Sequence, residues 1–107
     1  MDDPLAGIAV IPLRARALEP RVVGLLAAAQ TRLPQRRRSG RAPAIAYTYR
    51  VAPERELWGV VRATTILGVA GVELAGGVLR VRDIAVAAEH RRGGLGRALL
   101  AHLHAAY

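Results

Sequence analysis

Two segments of the chain carry apolar residues at the three- and four-residue spacing of an amphipathic helix. The first lies within residues 18–33, where Pro20 suits the first helical turn and Pro34 stops the pattern. The second runs from about Gly94 to Tyr107. The apolar positions are Val22, Leu25, Leu26, Ala29 and Leu33 in the first predicted helix and Leu95, Leu99, Leu103 and Ala106 in the second.

Two segments in the first half of the chain favour β-strands. Gly7–Arg16 is predicted to be a short strand at a sheet edge or bulge, because Pro12 cannot donate a ladder hydrogen bond. Ala44–Val51 has a β-prone composition, and its large side chains alternate onto one face as in a half-buried strand. Those alternating residues are Ile45, Tyr47 and Tyr49.

The second half of the chain contains two further strand patterns. Leu57–Leu67 is rich in β-branched residues, and residues 68–74 either extend that strand through a bend or form a loop. Gly76-Gly77 indicates a hairpin turn of type I′ or II′, after which Val78–Ala87 is the clearest strand of the chain. The order of elements, with a final strand that leads into a helix, predicts a layered α/β domain.

The composition is that of one globular domain. The 107 residues suffice for a single domain, and 52% of them are hydrophobic, so the chain can bury a core. That core must be aliphatic, because the chain has no Phe, one Trp and three Tyr. No apolar run approaches the roughly 18 residues of a membrane span, and the acidic start MDDPLAG is unlike a signal peptide. We therefore expect a cytoplasmic protein without a membrane segment.

The net charge of +8 comes from arginine, since 16 basic residues oppose 8 acidic ones and lysine is absent. Such a positive domain favours anionic partners, whether a nucleotide-like cofactor, a nucleic acid or an acidic peptide. The loop predicted over Pro34–Pro43 holds four arginines between Arg36 and Arg41, which could contact nucleic acid. It lacks interleaved aromatic residues for base stacking, which favours a solvated loop instead.

Flexible and positive residues coincide where the second predicted helix begins. The first N–H groups of a helix lack intrahelical partners and carry partial positive charge, so they attract anions. Glycines let the backbone approach an anion, and arginines add charge-assisted hydrogen bonds. The residues are Gly93, Gly94 and Gly96 with Arg91, Arg92 and Arg97. They predict a phosphate site, and a plain strand-to-helix turn with surface arginines is the alternative.

Two well-known phosphate motifs do not fit this loop. The P-loop G-x-x-x-x-G-K-[ST] needs a lysine, which the chain lacks. The dinucleotide fingerprint G-x-G-x-x-G begins with Gly94 and Gly96, but Leu99 stands where its third glycine is required. Both motifs are therefore excluded by the sequence.

The segment Arg91–Gly96, RRGGLG, resembles the acetyl-CoA-binding motif [QR]-x-x-G-x-[GA] of the GNAT superfamily of N-acetyltransferases. The flanking DIAV (residues 83–86) and RALL (97–100) also fit, and the resemblance is sharp over Leu79–Leu103. It implies a mostly antiparallel mixed sheet with flanking helices, and acetyl-CoA as acetyl donor. The backbone of Ile84, Ala85 and Val86 would pair with the pantetheine arm. The N–H groups from Arg91 to Arg97, including Leu95, would cradle the pyrophosphate.

The resemblance also implies a reaction, in which a primary amine attacks the thioester directly within a ternary complex. The amine would come from a small molecule or a peptide N-terminus. Some family members carry a catalytic glutamate near the start of this strand, but Arg80 occupies that position here. Asp83 and Glu73 are the candidate bases, each of which could act through a water. Either could instead be a strand-edge charge paired to Arg80 or Arg82. We expect Tyr107, at the end of the helix, to pack or fray rather than to donate a proton.

No metal site is expected from the histidines. His102 and His104 project about 200° apart on a helix, so they cannot share one ion. His90 lies in the glycine–arginine loop and is expected to pack beside the phosphate site. The absence of cysteine excludes disulfides and thiolate ligands.

Domains of the GNAT superfamily continue beyond the second helix with a further strand, a helix and closing strands. We therefore expect residues 1–107 to form a single domain that is incomplete at its C-terminus. A longer chain or a partner would supply the rest, and an exposed strand edge would invite pairing into a homodimer. Two alternatives to an enzyme stay open: a non-catalytic CoA-binding or interaction module, and a small arginine-rich nucleic-acid binder.

Overall fold

An antiparallel sheet of four strands forms the centre of the protein, and their order across the sheet follows their order in the sequence. The computed structural model describes residues 5–30 and 41–107. The strands are β1 Ile8–Pro12, β2 Arg55–Arg62, β3 Thr65–Ala75 and β4 Val78–Val86. The helices are α1 Pro20–Gln30, α2 Ala42–Val51 and α3 Leu95–Ala106, with short 3-10 turns at Arg14–Arg16 and Ala88–His90.

Helices cover both faces of this sheet. On one face, Leu26 of α1 and Tyr49 of α2 are fully buried in a cluster with Val69. On the other face, the apolar stripe of α3 clusters with Val60 and Val72. That stripe consists of Leu95, Leu99 and Leu103. Each fully buried aliphatic side chain contributes roughly 1.5–3 kcal/mol, and the three layers confirm the predicted α/β architecture.

The strand predicted at Ala44–Val51 is wrong, because this segment belongs to helix α2. Pro43 lies in the first turn of α2, where proline favours a helix start. The buried residues of the helix are Ile45, Ala46 and Tyr49. Tyr47, which the alternation placed on the same face, is 57% exposed. Over so short a segment the apolar pattern fits both periods, and packing decides for the helix.

The strand predicted at Leu57–Leu67 is also wrong, because the segment contains two strands. β2 ends at Arg62 and β3 begins at Thr65, with a two-residue turn that starts at Ala63. Ala63 has a φ of 53°, a left-handed conformation that residues with a Cβ rarely adopt. The turn residues, Ala63 and Thr64, are not among the Gly, Pro, Asn and Asp by which turns are predicted, so the sequence analysis missed this turn. Residues 68–74, left open by the sequence, lie within β3.

The other predicted strands are confirmed with shifted ends. β1 is shorter than Gly7–Arg16, because the chain turns into a 3-10 helix after Leu13. It lies at a sheet edge, as Pro12 predicts. Gly76 and Gly77 have φ of 57° and 75°, and two left-handed residues are what a type I′ turn requires.

Both predicted helices are confirmed as α1 and α3. Residues 31–40, which include Leu33 and most of the predicted basic loop, lie outside the described residues. Ala106, which was predicted on the buried face of α3, is exposed. None of the helices in the described ranges is long and apolar enough to cross a membrane.

A bulge interrupts the pairing of β4 with β3. Gly71 lies opposite Asp83, whereas the next residue of β3, Val72, lies opposite Val81. Arg82 is therefore the extra residue of the bulge. A bulge bends its strand and changes the direction of nearby side chains, and this one immediately precedes the last four residues of β4.

Candidate active site

The loop between β4 and α3 turns the chain with two left-handed residues. Arg92 has a φ of 70° and Gly94 a φ of 84°, and Gly94 is the N-cap of α3. Glycine adopts this conformation readily, whereas a residue with a Cβ loses roughly 1–2 kcal/mol. Within residues 5–30 and 41–107 no side chain caps this helix end. Its first N–H groups are therefore directed toward the space before the helix.

A cleft of about 310 Å³, here called the β4–α3 cleft, lies between the end of β4 and the start of α3. Its lining residues are Ile84, Ala85, Val86, His90, Arg91, Arg92, Gly94, Leu95 and Gly96. The structure thus brings together eight of the ten residues predicted to bind the cofactor, with His90 beside them. Gly93 and Arg97 are not among the lining residues.

The outer edge of β4 presents backbone groups to this cleft. The N–H of Ala87 donates to the carbonyl of Leu67 at 2.8 Å, and bonding alternates along an antiparallel pair. The backbone groups of Ala85 therefore face β3, while those of Ile84 and Val86 point outward. Arg91 Nε donates to the Val86 carbonyl at 3.2 Å, which holds the start of the loop against the edge.

Asp83, one of the two predicted bases, is buried with 6% of its surface exposed. The hydroxyl of Tyr49 donates a hydrogen bond to Asp83 Oδ2 at 2.5 Å. Burial and the nearby Asp83 carboxylate raise the pKa of Tyr49 far above its usual range, so this hydroxyl stays a donor. Tyr49 was not among the predicted site residues, because the segment around it was predicted to be a strand. Its helical spacing from Ile45 is the signal that could have found it.

Glu73, the other predicted base, lies in an ion-pair network at the same bulge. Its carboxylate accepts from Arg55 Nε at 3.2 Å and lies 3.5 Å from an Arg82 nitrogen. The Arg55 guanidinium carbon is 5.7 Å from the centre of the Tyr49 ring. We call these four residues, together with Asp83, the bulge cluster. Of the two arginines predicted as partners, Arg80 lies opposite Glu73 in the sheet, and Arg82 forms the ion pair with it.

Tyr107 packs at the end of α3, as expected. Its hydroxyl accepts from Trp58 Nε1 at 3.0 Å and donates to Glu56 at 2.6 Å. Partial burial and the Glu56 carboxylate raise the pKa of Tyr107. The His102 ring lies 5.0 Å from that of Trp58. Across the described part of the chain, no three His, Cys, Asp or Glu side chains group to hold a metal ion.

Together, the sheet with helices on both faces and the strand edge that ends at a glycine–arginine loop define an acetyltransferase-type fold. The sequence model of the acetyltransferase (GNAT) family matches residues 21–106. The chain belongs to the GNAT acetyltransferase family, and the predicted resemblance is confirmed. No curated protein sequence matches it significantly.

Solved acetyltransferase structures share the fold. The IAA acetyltransferase from Bacillus cereus superposes with a TM-score of 0.65 at 18% identity, over 92% of this chain and 57% of its own. The ribosomal-protein-S18-alanine N-acetyltransferase from Escherichia coli gives 0.62 at 19% identity, over 90% and 56%. A tandem GNAT protein from the clavulanic acid biosynthesis pathway gives 0.67 at 26% identity, over 89% and 31%. The chain thus spans little more than half the length of the first two.

Proposed function

We propose that the protein binds acetyl-CoA in the β4–α3 cleft and transfers the acetyl group to a primary amine by direct attack in a ternary complex. The observation that carries the proposal is the geometry of that cleft. The cleft joins an outward-facing strand edge to an uncapped helix start through a loop whose left-handed residues include Gly94. Membership of the acetyltransferase family supports the same reaction class.

Each part of the cleft suits a different part of the cofactor. The pyrophosphate would accept hydrogen bonds from the first N–H groups of α3 and from Arg91 and Arg92, in the positive field of the helix end. The pantetheine arm would pair with the outward backbone groups of Ile84 and Val86 as an added strand. An arm that follows β4 toward its start would carry the thioester to the bulge at Arg82.

The bulge cluster supplies the candidate groups for proton transfer. The attacking amine must lose a proton to a base, directly or through a water. Asp83 adjoins Ile84 on the cofactor edge, and Glu73 lies one strand further in, so both remain candidate bases in this proposal. Acetyl-CoA, when bound, supplies the activated acetyl group.

A non-catalytic CoA-binding module is the second candidate function. It is favoured by one observation, namely that both carboxylates of the bulge cluster are already committed to partners. Asp83 accepts from Tyr49, and Glu73 is paired with Arg55 and Arg82. Such a module would bind acetyl-CoA equally well but would not release CoA in the presence of amines.

The Gly94→Val substitution tests the cofactor site. A β-branched residue at φ 84° is strained, and relief of that strain would change the direction of the first N–H groups of α3, which are to meet the pyrophosphate. We expect acetyl-CoA affinity measured by calorimetry to fall at least about tenfold, since several charge-assisted hydrogen bonds are lost.

The matched control is Gly77→Val, which imposes comparable strain at φ 75° in the β3–β4 hairpin, away from the β4–α3 cleft. It should leave acetyl-CoA affinity unchanged. Equal affinity in the wild type and Gly94→Val would overturn the assignment of the loop. Salt-sensitive binding of a short DNA duplex, without acetyl-CoA binding, would favour a nucleic-acid binder instead.

A turnover assay distinguishes an enzyme from a non-catalytic binding module. The wild-type protein is mixed with acetyl-CoA and a panel that contains small primary amines and short peptides with free N-termini. Release of CoA, followed with a thiol reagent, identifies the acceptor class. Binding without release for every acceptor would favour the non-catalytic module.

A further inference from the structure

We infer that Tyr49 is a positioning residue for the acetyl-CoA site. Its buried hydrogen bond to Asp83 holds the part of β4 that follows, Ile84–Val86, whose outer edge faces the β4–α3 cleft. The inference rests on the proposed function, because it concerns how the edge of Ile84 and Val86 is held. Tyr49 is not exposed and does not touch the β4–α3 cleft. Its effect on the cofactor must therefore be transmitted through β4.

The Tyr49 ring fits a space that only glycine leaves open. It lies against Gly71 of β3, where an added Cβ would overlap the ring and its hydroxyl. Gly71 is the residue opposite Asp83 in the sheet. The ring thus crosses β3 at a residue without a side chain, and its hydroxyl reaches the carboxylate on the next strand.

The two residues of the bulge are held by separate contacts. Asp83 is bonded to Tyr49 at 2.5 Å, and Arg82 lies 3.5 Å from Glu73, which is itself 3.2 Å from Arg55. Because Arg55 also lies over the Tyr49 ring, α2, β2, β3 and β4 are joined at this one point. The bulge cluster therefore fixes which residue of β4 is the extra one.

The presence of the bulge decides which backbone groups of β4 would face the cofactor. Bonding along an antiparallel strand alternates between inward and outward residues. If the bulge were lost, the register beyond it would slip by one residue, and the backbone groups of each residue there would exchange direction. The outward N–H and C=O groups of Ile84 and Val86 would then turn toward β3. The bond from Tyr49 to Asp83, the residue directly before Ile84, opposes that slip.

Tyr49→Phe tests the inference, because it keeps the ring and removes the hydroxyl. The probes are acetyl-CoA, which uses both the strand edge and the loop, and ADP, whose pyrophosphate uses the loop alone. We expect the Kd for acetyl-CoA to rise about tenfold, the equivalent of one well-formed hydrogen bond. The Kd for ADP should be unchanged. A purely structural role would weaken both ligands alike.

A double-mutant cycle and a control complete the experiment. Asp83→Ala should reproduce the selective loss, and Tyr49→Phe combined with Asp83→Ala should be no worse than either alone. If Tyr49→Phe does not fold, Asp83→Ala carries the same comparison of ligands. Ile45→Val, a small loss of buried volume in the same helix, should leave both affinities unchanged.

The outcomes separate this inference from the function on which it rests. Unchanged acetyl-CoA affinity in Tyr49→Phe, or equal losses for acetyl-CoA and ADP, would overturn the positioning role alone. Wild-type protein that does not bind acetyl-CoA, or Gly94→Val that binds it normally, would overturn the proposed function and the inference with it.

Discussion

Ala63 occupies a position in the β2–β3 turn at which glycine is usual. Its φ of 53° costs a residue with a Cβ roughly 1–2 kcal/mol. Ala63→Gly should therefore raise the free energy of unfolding by about 0.5–1 kcal/mol, since the greater freedom of glycine in the unfolded chain cancels part of the gain. Urea unfolding followed by circular dichroism measures the change.

The control for Ala63 is the same substitution in extended backbone. Ala75→Gly, at the end of β3, should lower the free energy of unfolding by about 0.5–1 kcal/mol. Losses of equal size from both substitutions would contradict the left-handed conformation of Ala63.

Tyr49 is expected to make the free energy of unfolding fall as the pH rises into the alkaline range. Its pKa is raised in the folded protein, first by burial and then by Asp83. The unfolded chain loses the proton near pH 10, whereas the folded protein keeps it. The contribution to stability is therefore complete below about pH 10 and is lost progressively as the pH rises beyond it. Neither lysine nor cysteine is present to titrate in the same range.

Denaturant unfolding between pH 8 and pH 11 tests this dependence. In Tyr49→Phe the fall in the free energy of unfolding above pH 10 should be smaller than in the wild type. Tyr47→Phe, which alters a tyrosine that is 57% exposed, is the control and should leave the fall intact. Parallel curves for the wild type and Tyr49→Phe would contradict the prediction.

Helix α1 contains a glycine that its packing does not require. A Cβ added at Gly24 would meet no atom within 4 Å, and glycine within a helix costs about 0.5–1 kcal/mol relative to alanine. Gly24→Ala should raise the free energy of unfolding by that amount in urea. Gly71→Ala in β3 should lower it, because the new methyl group would overlap Tyr49. The prediction fails if Gly24→Ala is the less stable of the two.

The elements near the loop between β4 and α3 could be predicted because the sequence patterns that indicate them are local. Gly76 and Gly77 mark the hairpin, and the leucines of α3 repeat at a strict helical spacing. By contrast, α2 and the turn at Ala63 are determined by packing. Tyr49 becomes a buried residue of a helix only because Gly71, distant in the sequence, leaves room for its ring. The spacing of Ile45 and Tyr49 is compatible with a helix, but no pattern within Ala44–Val51 shows the space at Gly71.

At the scale of the whole molecule, one part of the candidate site could be predicted from the sequence and the other could not. The loop between β4 and α3 is continuous in sequence, so its motif could be found without a structure. The bulge cluster draws residues from α2, β2, β3 and β4, and its existence depends on strand register. Sequence analysis therefore found the carboxylates of Asp83 and Glu73 but not the tyrosine and Arg55 that hold them.

The outward side of β4 has one consequence for how the protein behaves at different concentrations. The outward backbone groups of Ile84 and Val86 can form hydrogen bonds with only one additional strand or ligand at a time. A second copy of the chain that joined there would take the groups that we propose for the pantetheine arm, so self-association and the proposed cofactor binding would exclude each other. The specific activity of such a preparation would rise on dilution, the reverse of what an enzyme completed by dimerisation would show.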